Sequence, residues 1–152
     1  MKPLRGTPDK AARKGSALVE FALSFALLWA LFSGVYEFGY TFWKYNALMT
    51  AVSSGAAFGS KRSYDTANSS AFTTAVQNMV VYGDTNTGTT TAVPGLTTAN
   101  VTVAVTLNNA IPTYVTVSIN TFTIDAVFQS FAFNGKPSVT MPYIGEVTCS
   151  NC

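Results

Sequence analysis

The 152-residue sequence is 48% hydrophobic and only 11% charged, has a net charge of +2 and contains no histidine. Without histidine, Ser-His and Cys-His catalysis and most zinc sites lack the side chain they are built around. Length leaves room for at most one compact domain beside a membrane segment, and the basic residues gather at one tip, not on a folded face as nucleic-acid binding requires.

Residues 1–14 hold Lys2, Arg5, Lys10, Arg13 and Lys14 against the single acid Asp9. The remainder holds Lys44, Lys61, Arg62 and Lys136 against six acids. A basic tip beside an apolar run is a topology signal that keeps the tip in the cytoplasm. From Phe21 to Tyr36 the chain reads FALSFALLWALFSGVY without a charge, and Ala17, Leu18 and Val19 extend the run around Glu20. The total, about twenty residues, spans a hydrocarbon core of ~30 Å as a helix. Cleaved secretory signals have apolar regions of about 7–15 residues with a small-residue cut site on the far side. This run, at about 17–36, reads as a retained anchor.

Helical character continues past the membrane. No proline occurs from Ser16 to Ser60, and Tyr36, Tyr40, Trp43, Ala47 and Ala51 recur at helical spacing. A helix over 16–62 would be a rod of roughly 65 Å. Tyr36, Tyr40, Trp43 and Tyr45 suit an interfacial aromatic belt, with a packing face for neighbouring subunits as the alternative. Gly55 and Gly59 have small-xxx-small spacing, which lets helices approach closely. They lie beyond the span, so packing under the chain's own domain is the expected use.

Residues 63–152 read as an extracytoplasmic α+β domain. Phe72, Ala75, Val76, Met79 and Val80 predict an amphipathic helix over 70–82, with Gly83 placed to end it. The Thr/Gly-rich stretch 83–99 predicts a flexible loop. Alternation in 101–107 and again in 114–119 predicts an antiparallel hairpin across Asn108–Pro112. Residues 123–133 fit either a short helix or an extended segment. A final strand over 138–147 is broken by Pro142, which places it at a sheet edge. The resulting fold class is α+β: a long N-terminal membrane-spanning helix, a short helix and a three-stranded antiparallel sheet.

The acids Asp65, Asp84, Asp125 and Glu146 are scattered, and the many serines and threonines have no accompanying base. An enzyme is not expected, nor a cofactor. Phe122, Phe128, Phe131 and Phe133 read as core, with a ligand groove as the weaker alternative. Cys149 and Cys152 have C-x-x-C spacing. They suit a local disulfide outside the cytoplasm or a pair that joins subunits, whereas two ligands alone make no metal site.

Glu20 is the residue these elements do not explain. A carboxylate inside an apolar span is costly and usually functional. The run Arg13-Lys14-Gly15-Ser16-Ala17-Leu18-Val19-Glu20-Phe21 resembles the processing site of the type IV pilin superfamily. Gly15 through Leu23, the later Val35-Tyr36-Glu37-Phe38-Gly39, and the small residues from Ala47 to Ser60 resemble TadE-like pseudopilins. The resemblance implies a pilin-like fold, a leader over 1–15 and prepilin-peptidase cleavage between Gly15 and Ser16. It also implies assembly roles for Glu20 and Glu37, and a seat in the bacterial inner membrane with the N-terminus cytoplasmic. The implied partners are that peptidase, other pilins, the inner-membrane assembly platform of a tight-adherence (Flp) pilus and membrane lipid. Homo- or hetero-oligomers would form through the long helix. A domain of this size favours a minor pseudopilin over a filament-forming subunit. The rival from another class is an uncleaved, single-pass anchored binding or adhesion module.

Overall fold

The computed structural model describes residues 10–126 and 128–145, with side chains from residue 16 on. Helix α1 (Lys10–Lys61) is unbroken over 52 residues, as the absence of proline between Pro8 and Pro94 allows. It begins earlier than the expected Ser16. The chain divides into two compact units, the first ending at Gly39 and the second beginning at Tyr40.

In the second unit the end of α1 is joined by α2 (Ser69–Tyr82), β1 (Val101–Asn108), β2 (Ile111–Ile119), β3 (Phe122–Asp125), β4 (Ser130–Phe133) and β5 (Ser138–Pro142). This is the expected α+β arrangement with one addition, the β3–β4 pair. Leu48, Val52 and Ala56 of α1 meet Phe72, Val76 and Val80 of α2 in one core. Gly83, at φ 72°, ends α2 and donates its N–H to the Met79 carbonyl at 3.1 Å, the left-handed cap that glycine adopts without strain.

β1, β2 and β5 form an antiparallel sheet in that order. Val115, Val117 and Ile119 of β2 are buried, while Thr102, Ala104 and Thr106 of β1 face outward. Thr116 and Thr140 are paired in register, their hydroxyls 2.9 Å apart. β5 stops at Pro142, on the edge the missing N–H dictates. Asn109 and Ala110 turn the β1–β2 hairpin with φ of 49° and 65°. Alanine in that region costs about 1–2 kcal/mol, of which glycine's extra unfolded-state freedom takes back about 0.4–1 kcal/mol. Ala110→Gly is therefore expected to raise stability by up to about 1 kcal/mol, read as a higher midpoint in thermal unfolding. A lower midpoint would contradict the turn geometry.

Two segments differ from expectation. Residues 122–133, ambiguous in sequence, form a β hairpin pairing Phe122 with Phe133 and Asp125 with Ser130. Phe122 and Ile124 are buried, and Thr123 and Asp125 are exposed, so the extended state wins by seating two large side chains in the core. The 83–99 segment, expected to be flexible, is anchored. Val93 and Leu96 are each 1% exposed, the Ala92 N–H donates to the Val81 carbonyl at 2.7 Å, and the side-chain amide Nδ2 of buried Asn78 donates to the Thr85 carbonyl at 3.0 Å. At its start the Asn86 N–H donates to Asp84 Oδ1 at 2.8 Å, and this bond holds the exposed Asp84 carboxyl below its ordinary range.

Asparagines fix the base of the β3–β4 hairpin. Asn120 donates to the Thr102 hydroxyl at 2.7 Å and accepts from the Gly135 N–H at 2.7 Å. Asn100 accepts from Thr97 and donates to the Thr121 carbonyl at 3.1 Å. The last turn of α1 is closed from the far end of the chain. The Ser60 carbonyl accepts from the N–H groups of Ile144 and Gly145 at 2.8 and 3.0 Å, satisfying a helix-end acceptor that has no partner within the helix. The Tyr143 hydroxyl accepts from the Tyr64 N–H at 2.8 Å.

Candidate functional site

Helix α1 carries every assembly residue that the sequence singles out. Ser16 and Glu20 lie four residues apart, one turn along the helix and on the same face, and both are exposed. Gly15 lies within the helical backbone. Between Glu20 and Tyr36 the large apolar side chains are exposed among the described residues. Phe21, Leu23, Leu27, Trp29, Phe32 and Val35 are all more than 60% exposed. From Ser16 on, α1 is long and apolar enough to cross a membrane, and none of its most apolar window is buried. An unburied apolar run of that length fits a membrane anchor.

Glu37, in the same unit, is half-buried. Gly34 and Gly39 face open space, with no atom within 4 Å of where a Cβ would stand.

In the second unit α1 changes its task. Of the aromatic residues expected near the outer end of the span, three have described contacts here. Tyr40 lies 6.3 Å from Trp43 and beneath the Lys44 ammonium at 4.8 Å. Tyr45 instead contacts Phe133 of β4, ring centroids 5.7 Å apart. A signal for this was present: Tyr45, Leu48 and Val52 fall at i, i+3 and i+7, the spacing of one buried helix face. Gly55 and Gly59 are used as the sequence suggests. A Cβ on Gly55 would overlap Val80 Cγ2, and one on Gly59 would press Val115 Cγ1 and Val76 Cγ2 at 3.2 Å.

The four phenylalanines weighed as core or groove differ in burial: Phe122 is buried, Phe133 half-buried, and Phe128 and Phe131 exposed. Asp65, Asp84 and Asp125 stay on separate loops and strands, and among the described residues no three His, Cys, Asp or Glu side chains are grouped to hold a metal ion. Cys149 and Cys152 lie outside the described residues.

Residues 15–57 match the family model described as TadE-like protein. Over this segment the chain is similar to that family. The match opens at the Gly15-Ser16 pair, takes in Glu20 and Glu37, and ends among the small residues that meet the core. Among the described residues one helix, near the N-terminus, is long and apolar enough to fit a single-pass membrane anchor. No curated protein and no solved structure matches the chain. The TadE-like likeness lies within α1.

Proposed function

We propose that the chain is a minor pseudopilin that acts in assembly of a tight-adherence (Flp) pilus. The single observation that carries this reading is the exposed carboxylate of Glu20, one helical turn beyond Gly15-Ser16 and at the head of an uncovered apolar helix. Prepilin peptidase removes residues 1–15 as a leader, leaving Ser16 with a free α-ammonium group. Glycine is about 1 kcal/mol poorer than alanine as a helix former, so Gly15 weakens the helix at the cut.

Within one chain the new ammonium and Glu20 sit a turn apart, and pairing there fixes no register between subunits. Between chains offset by about one turn, ~6 Å, the ammonium of one subunit meets the carboxylate of its neighbour. Each alone is a charge in low dielectric. Together they neutralise, and the pairing fixes the stagger of the helices. The span about 17–36 holds the subunit in the inner membrane with the leader cytoplasmic, and residues 63–152 stand outside as an accessory domain. Other pilins, the assembly platform and lipid are its partners. Glu37 is a second assembly residue on this reading.

The test is the N-terminus of the native protein. Membrane-extracted protein from a host with its own prepilin peptidase is expected to begin at Ser16, by intact mass and N-terminal sequencing. A chain still beginning at or next to Met1 would refute processing and leave an uncleaved, anchored binding or adhesion module.

A further inference from the structure

The β3–β4 hairpin has an apolar face that outruns the core. Residues opposed in an antiparallel pair share a face, so Phe122, Ile124, Phe131 and Phe133 lie on one side and Thr123, Asp125 and Ser130 on the other. On the apolar side cover thins toward the tip. Phe122 and Ile124 are buried and Phe133 is half-buried, but Phe131 is 37% exposed and Phe128, at the turn, is 72% exposed. No charge occurs from Ala126 to Gly135.

Two contacts fix which end of the second unit this is. Val115 of β2 lies against α1 at Gly59, and Phe133 of β4 meets α1 at Tyr45. Between those points α1 rises about 21 Å, so the hairpin sits at the end where α1 enters this unit at Tyr40. Cover of α1 continues one turn beyond Tyr45, because Thr41 is half-buried with its hydroxyl oxygen closed to solvent. Phe42 and Trp43, on other faces of the same turn, are more than half exposed. The apolar run ends at Tyr36, about 13 Å of helix before Tyr45. Headgroups take up roughly 5–7 Å of that distance, and a strand from Phe133 to Phe128 spans about 16 Å. The tip therefore has the length to reach the bilayer surface.

We propose that this face of the hairpin, led by Phe128 and Phe131, rests in the interfacial layer of the bilayer that α1 spans and seats the domain on the membrane. The occupant follows from continuity: the helix that carries Tyr45 runs directly into the apolar span, so lipid is the apolar surface tethered nearest to the two rings. Uncharged aromatic side chains suit that layer. Asp125 and Ser130, on the opposite side, stay in water. A seated domain is held in one orientation about α1, and lifting it off the membrane requires the two rings to find other cover.

The test uses the full chain with Cys149→Ser and Cys152→Ser, reconstituted in vesicles of phosphatidylcholine and phosphatidylglycerol. A nitroxide is attached to a single cysteine at Phe128→Cys, Phe131→Cys or Ile111→Cys. Ile111 is also an exposed apolar residue but lies at the opposite end of β2, so it controls for hydrophobicity without the position. Oxygen concentrates in lipid and a nickel chelate stays in water, so the ratio of their collision rates with the label rises with depth. Phe128→Cys is expected to exceed Ile111→Cys at least fivefold, with Phe131→Cys in between. A smaller difference at both positions would overturn the seat. So would exclusion of both reagents at 128, the mark of a protein contact. The inference uses the reading of α1 as a membrane anchor but not cleavage at Gly15. Flotation of the same vesicles reads the anchor separately: a chain that floats with both labels in water keeps the anchor and loses the seat. An untrimmed N-terminus in the native host would sink the pilus reading and leave the seat standing.

Discussion

Glu20→Ala is expected to yield a protein that is inserted and trimmed normally yet enters filaments at a hundredth of the wild-type level or less. The direction follows from what each state exposes. In the free subunit Glu20 lies close to the cytoplasmic end of the span, where its side chain can reach toward the headgroups and its cost is small. In an assembly the Ser16 ammonium of a neighbour is drawn into the same low-dielectric layer. Removing one member of such a buried pair strands the other, typically at about 3–5 kcal/mol, and each 1.4 kcal/mol is about tenfold in an equilibrium. Counting sheared pili and quantifying the subunit within them measures the effect. Glu20→Asp keeps the charge on a shorter arm and is expected to retain part of the activity. Full piliation by Glu20→Ala would remove the register argument.

The second large effect is expected in the domain. Gly55→Ala trades a gain of about 1 kcal/mol in helix propensity against overlap with Val80 Cγ2. Val80 is fully buried and β-branched, so it cannot swing aside, and overpacking of this kind costs typically about 1–3 kcal/mol. Gly55→Ala is expected to be modestly destabilising. Gly55→Leu, with three further carbons aimed at α2, is expected to prevent the second unit from folding. Gly39→Ala supplies the contrast, because nothing lies within 4 Å of its added methyl and the helix-propensity gain stands alone. Limited proteolysis and thermal unfolding of the detergent-solubilised chain would rank the three. A Gly55→Leu protein as resistant as wild type would mean that α1 and α2 do not meet at this glycine.

How much of this was legible beforehand depends on the length of each pattern. The apolar run from Phe21 to Tyr36 is long enough to identify itself, and so are the alternating valines and threonines of β1 and β2. Gly55 and Gly59 also declared their use, because a pair of glycines four residues apart beyond a membrane span has few reasons to exist except close packing. The β3–β4 hairpin was not legible. Each strand has four residues, too short for a period of 2 to stand out against a period of 3.6, and β4 is mostly exposed, so its side chains alternate little in chemistry. The anchoring of the 83–99 segment was hidden for a related reason. Two buried residues, Val93 and Leu96, sit among threonines and glycines whose composition says only that the backbone is free to turn.

The sequence by itself determined the long apolar helix, its basic N-terminal flank, the acid at the head of the apolar run and the antiparallel hairpin. Each is written in neighbouring residues as charge, length or period. Only the tertiary structure decided where α1 stops facing outward and begins to face a core, and that Tyr45 belongs to the domain. It alone decided that β5 pairs with β2 across the intervening hairpin. Those outcomes depend on which distant side chains fill the same space, and local periodicity records the burial of a residue without recording its partner.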